Sequence, residues 1–133
     1  MFKPIQYDNG KTKEMAVKDG EDISKGDALQ FDSGEVKRAT SSTETVRFVS
    51  LEDVSSASDD VALCLDVRGV EFKADCANET DQDQVGVGQD LDDHEAIDNN
   101  STAADNCFMV TELVGVAADK KVRGYFLDRN YQS

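Results

Sequence analysis

The apolar residues of this chain come in short runs rich in Val, Phe and Leu, broken about every 8–12 residues by Gly, Asp, Asn or Ser. No window repeats apolar side chains at helical spacing for long enough to stripe one face of a helix. Segments this short satisfy their backbone amides by pairing with one another, so the pattern points to an all-β fold. The architecture expected is a small β-barrel or β-sandwich of short antiparallel strands with long acidic loops. Strands are expected over residues 12–17, 28–31, 35–40, 45–51, 61–67, 70–74, 84–88, 108–116 and 121–127. A chain of 133 residues has the length of one domain with a modest core.

The turns carry recognisable chemistry. Asp19-Gly20, Lys25-Gly26-Asp27 and Asp32-Ser33-Gly34 supply residues that tolerate positive φ or bond to their own backbone. The last of these sits between two expected strands and predicts a hairpin. Pro4, the single proline, favours extended backbone before it. Residues 1–10 are therefore expected to form an extended N-terminal arm ahead of one β domain over 11–133.

Charge is unevenly placed. The formal net charge is -14, with 28 acidic against 14 basic residues. Residues 74–119 contain 12 of the acids and no Lys or Arg, whereas 120–133 carry 4 bases and 1 acid. The stretch 78–105, acidic and rich in amides, reads as a loop-rich excursion facing solvent, with long loops around a weak strand or two. A surface of this sign repels phosphate backbones and anionic lipid, so neither nucleic acid nor a membrane is an expected partner.

Three cysteines, Cys64, Cys76 and Cys107, form no CxxC pair, and Cys64 and Cys107 lie in apolar surroundings as small buried hydrophobes. With no apolar leader at Met1-Phe2-Lys3-Pro4-Ile5, synthesis in a reducing cytoplasm is the expectation.

Catalysis has few groups to use. His94, the only histidine, lies among carboxylates in Asp92-Asp93-His94-Glu95, and no nucleophile elbow is present, so no enzymatic activity is expected. Gly86-Val87-Gly88 lacks the third glycine and the βαβ context of a dinucleotide fingerprint, and no cofactor is expected. Asp81, Asp83 and Asp92 overlap the first, third and twelfth positions of an EF-hand loop, with Gly86 at the sixth. Val85 offers no oxygen at the fifth, and Asp92 stands where a bidentate Glu is needed. These three are weak candidates for cation contact, and no dedicated metal site is expected.

One order of motifs runs through most of the chain: Lys25-Gly26-Asp27-Ala28-Leu29, then Asp32-Ser33-Gly34-Glu35-Val36, then Arg68-Gly69-Val70, then Leu113-Val114-Gly115-Val116-Ala117 before a closing strand. The first motif also resembles the turn of lipoyl and biotinyl carriers. Those carriers display a modified Lys on a hairpin, and neither Lys37 nor Lys73 has that context.

The whole order, over residues 15–127, resembles the small capsid-decoration (cement) proteins of tailed bacteriophages. The acidic stretch 78–105 departs from that family's compact spacing. The resemblance implies a structural protein on the virion exterior. It would bind the major capsid protein of an assembled head and stabilise the shell, commonly as a homo-trimer. Phe2, Pro4, Ile5 and Tyr7 of the arm are then the expected capsid contacts, joined by Arg129 and Tyr131 near the C-terminus. The competing expectation is a small cation- or ligand-binding β domain that uses the acidic loops at 78–105.

Overall fold

The computed structural model describes residues 1–7, 11–43, 45–55, 61–99 and 107–127. The chain is all-β and forms two sheets. Its strands are β1 (Phe2–Pro4), β2 (Thr12–Ala16), β3 (Ala28–Asp32), β4 (Glu35–Arg38), β5 (Phe48–Ser50), β6 (Val61–Asp66), β7 (Phe72–Cys76), β8 (Gly88–Leu91), β9 (Ala96–Asp98), β10 (Phe108–Val114) and β11 (Lys121–Phe126). One sheet runs β2-β6-β5-β3-β4 and the other β1-β7-β11-β10-β8-β9.

Among the described strands, pairing is antiparallel except where β9 runs parallel to β7 through Asp75↔Ala96 and Cys76↔Ile97; the isolated bridge Val17↔Val36 is parallel as well. β11 holds one side of β7, so β1 and β9 divide the other, β1 taking residues 72–74. The larger sheet thus curls back on itself.

Alternation along the strands builds two apolar clusters from the smaller sheet. Ala28, Val49 and Leu65 point into the space between the sheets, where they meet Phe2, Phe72, Phe108, Val110, Val122 and Phe126. Leu29, Val36, Phe48, Ala62 and Cys64 point the other way, onto a second cluster with Val17, Ile23 and Val54. Two isolated bridges, Val17↔Val36 and Ile23↔Val54, draw the connecting loops across that cluster.

Four phenylalanines form the centre of the main core. The Phe126 ring lies 5.0 Å from Phe2, 5.2 Å from Phe72 and 5.1 Å from Phe108, centroid to centroid. These tilted and edge-on geometries add to the burial of each ring. Gly124 makes the packing feasible: a Cβ there would lie 2.0 Å from the Met109 carbonyl oxygen and 2.6 Å from Phe108. A register shift between Val110 and Glu112 bulges β10 opposite this glycine.

Several expectations are corrected. The strand expected at 84–88 does not form: Gln82–Gln84 is a 3-10 turn capped by Asp81, Gly86 has φ 83°, and β8 starts at Gly88. β9 falls where only a weak strand or two was expected, with no position assigned, because Ile97 is the only large apolar residue in it and its pairing partners are distant in sequence. The excursion at 78–105 is therefore structured through Asn99; residues 100–106 lie outside the described residues. The arm at 1–10 is extended as expected over Phe2–Pro4, but it is a strand of the domain's own sheet.

Replacing Gly124 with Ala should lower stability by about 1–3 kcal/mol through overpacking, and Phe126→Ala by about 3–5 kcal/mol through cavity formation. Urea unfolding monitored by circular dichroism measures both. An unchanged midpoint for either variant would contradict this packing.

Candidate binding surface

The Lys25-Gly26-Asp27 turn ahead of β3 is a structural fastener. Gly26 takes φ 89°, which favours glycine, and an added Cβ would sit 2.3 Å from the Met1 side chain and force it to shift. Its carbonyl accepts the Phe2 N–H at 2.9 Å, and its own N–H donates to Ser50 at 2.8 Å. Asp27, 2% exposed, accepts the Ser24 N–H at 2.8 Å and the Arg38 Nε–H at 2.9 Å. Ala28 donates to the His94 carbonyl at 2.8 Å. One tight turn therefore joins β1, β3, β4, β5 and the β8–β9 connection.

That fastening decides where the expected contact residues stand. Phe2 is fully buried and belongs to the core, which removes it as a contact residue: extracting its ring would break the phenylalanine cluster. Pro4 is half-buried in β1, while Ile5 and Tyr7 are 44% and 40% exposed. A cleft of ≈ 210 Å³ opens beside them, its walls including Met1, Pro4, Tyr7, Lys25 and Leu51. Arg129 and Tyr131 lie outside the described residues.

The outward face of β1, β7 and β11 carries a cationic row that sequence reasoning missed. Lys3 stands opposite Lys73, and Lys73 opposite Arg123, in direct register across three strands. Beside the row, Asp75 pairs with Lys121 at 2.5 Å and with the Met1 ammonium at 2.9 Å. Burial alone pushes the Asp75 carboxyl up, but these ammonium groups outweigh it and hold it below the ordinary carboxylate range. The row is visible only once the register is known, since its members lie far apart in the sequence.

The acidic stretch is organised by amides. Asn99, 2% exposed, donates to the carbonyls of Asn78 and Glu79, both at 3.0 Å, and accepts the Asn78 N–H. Asp81 accepts the Asp83 N–H at 2.9 Å as a turn cap. Among the described residues, Asp81, Asp83 and Asp92 do not converge as metal ligands. The group that does is Asp27, His94 and Glu95, with ligand atoms within 4.8 Å of one another. The Arg38 guanidinium already occupies Asp27 Oδ2, so a cation there would face a fixed positive charge. Asp27 instead serves the turn through Ser24 and Arg38, and His94 through its backbone carbonyl.

All three cysteines are free and buried, including Cys76. Burial pushes the Cys64 and Cys76 thiols up to about 12. Among the described residues, no helix is long and apolar enough to cross a membrane.

No protein-family model matches this sequence, and no curated protein matches it.

Two pH effects follow from these groups. Because the folded Asp75 carboxyl is more acidic than the unfolded one, its stabilisation is present above the ordinary value of 3.8 and is lost as pH falls through the folded pKa. Lys121→Met should reduce that stabilisation by less than about 1 kcal/mol at neutral pH and raise the Asp75 midpoint seen by NMR titration. The buried thiols act in the opposite range. Unfolded cysteines ionise from 9.0 and folded Cys64 and Cys76 only near 12, so stability should fall as pH rises between those values. Iodoacetamide labelling of both at pH 8 should be limited by unfolding; rapid labelling of the folded chain would contradict their burial.

Proposed function

We propose that this chain is a non-enzymatic structural protein of the virion that binds the outer surface of an assembled phage head and stabilises it. The observation that carries the reading is the surface around the N-terminal strand. The Gly26–Asp27 turn fixes β1 so that Ile5 and Tyr7 stand exposed beside an open cleft. The order of turns and strands that resembles phage decoration proteins supports it from the sequence. Lys25-Gly26-Asp27 leads into β3, Asp32-Ser33-Gly34 joins β3 to β4, and Gly115-Val116 separates β10 from β11.

Such a protein stabilises a shell by mass action, because it binds assembled subunits and not free ones. Binding as a homo-trimer at a local symmetry axis would multiply individually weak contacts. The net charge of -14 keeps abundant copies soluble and apart until they dock.

The test is co-sedimentation of the purified chain with assembled tailed-phage heads lacking decoration. Saturable binding at a fixed ratio to capsid subunits is expected, with a gain in head thermal stability. Ile5→Asp and Tyr7→Asp should each weaken binding about tenfold or more while leaving the unfolding midpoint of the free chain unchanged. Heads that bind neither the chain nor its trimer would overturn the reading.

A further inference from the structure

The cationic row of the larger sheet has no evident structural purpose. Like charges placed directly opposite on neighbouring strands destabilise a sheet. Here Lys3, Lys73 and Arg123 occupy three consecutive strands in register. Acids outnumber bases by 28 to 14 in the chain, yet among the described residues neither Lys3 nor Lys73 has an ion-pair partner. Of the carboxylates on the same face, Asp75 is engaged with Lys121 and the Met1 ammonium and Glu71 with Arg123 at 3.9 Å, while Glu112 of β10 stands opposite Arg123 and ends the cationic row there.

The row adjoins the cleft beside Pro4 and Tyr7, and Met1 and Lys3 border both features. A partner that supplies carboxylates to the row can therefore place an apolar side chain in the cleft. The outer edge of β1 is closed to strand addition, because the Phe2 N–H is held by Gly26 and Pro4 has no N–H. Recognition must run through side chains standing on the sheet face.

We infer that the outward face of β1, β7 and β11 docks an acidic protein segment, whose carboxylates lie across Lys3, Lys73 and Arg123 and whose apolar side chain enters the adjoining cleft. The inference deepens the decoration reading and rests on it, since the segment belongs to the capsid shell. A protein segment fits better than a nucleic acid. A long polyanion meets the repulsion of a chain with net charge -14, and so few cations release too few counterions to overcome it. A short acidic segment meets the row alone, and the row orients the whole molecule as it approaches.

The experiment compares wild type with Lys3→Glu/Lys73→Glu and with Lys13→Glu/Lys37→Glu, which makes the same charge change on the other sheet. Each is measured for binding to assembled heads across a salt series, after its fold is checked by circular dichroism. The row variant should lose about tenfold or more in affinity and most of its salt dependence, and the control pair should lose little. Equal losses in both, or none in the row variant, would overturn the inference while leaving the decoration reading intact. Lys3→Gln/Lys73→Gln serves as the milder replacement if charge reversal perturbs folding.

A wild-type chain that binds no head fails the decoration reading instead. The face is then judged by NMR titration with a poly-glutamate peptide carrying one Phe. Shifts at Lys3, Lys73 and Arg123 sustain the acidic-segment assignment, and their absence overturns it. Tighter binding of duplex DNA than of the peptide at the same salt would overturn it as well.

Discussion

The Phe2 ring lies 5.0 Å from that of Phe126, and the exposed face of the molecule depends on this contact. A terminal segment of three strand residues has little cooperativity of its own. Burying one aromatic ring in the core supplies the free energy that a short ladder of hydrogen bonds lacks. With Phe2 anchored, alternation along the strand turns Lys3 outward; beyond Pro4, Ile5 stands exposed and Tyr7 lines the cleft. The residue first expected to touch a partner is thus the one that holds the others in place.

The turn at Gly26 and Asp27 provides the second fixing point. Its backbone groups bond to both β1 and β5, and its carboxylate draws in Arg38 from β4. A buried carboxylate without such partners would be costly, so the Asp27–Arg38 pair and the Ser24 N–H must all be in place for the turn to close. In this chain the Gly26-Asp27 dipeptide ahead of β3 thus serves a structural purpose. It specifies how an N-terminal strand and the smaller sheet are held together.

Much of the all-β character was legible because turn residues punctuate the chain so regularly. Asp32-Ser33-Gly34 marked its hairpin correctly, since positive φ at Ser33 and Gly34 is a local property. What escaped reading was set by partners distant in sequence. Phe2 lies between Met1 and Lys3 in a stretch with no periodicity to announce a core position. β9 is held by β8 and by a parallel contact with β7, and its own three residues say little. Asn99 looked like one more polar loop residue, although its amide pins the acidic stretch. The cationic row was hidden for the same reason, because Lys3, Lys73 and Arg123 become neighbours only through the register of three strands.

This sheet face, anchored by Phe2 and fastened by the Gly26 turn, is the side proposed to meet a shell. Cryo-electron microscopy of heads saturated with the chain reads that orientation directly. Density in which β1, β7 and β11 lie against the capsid, with Lys3 and Lys73 near shell carboxylates and Tyr7 at the contact, is the expected result. Density showing that face turned to solvent, with another surface on the shell, would contradict it.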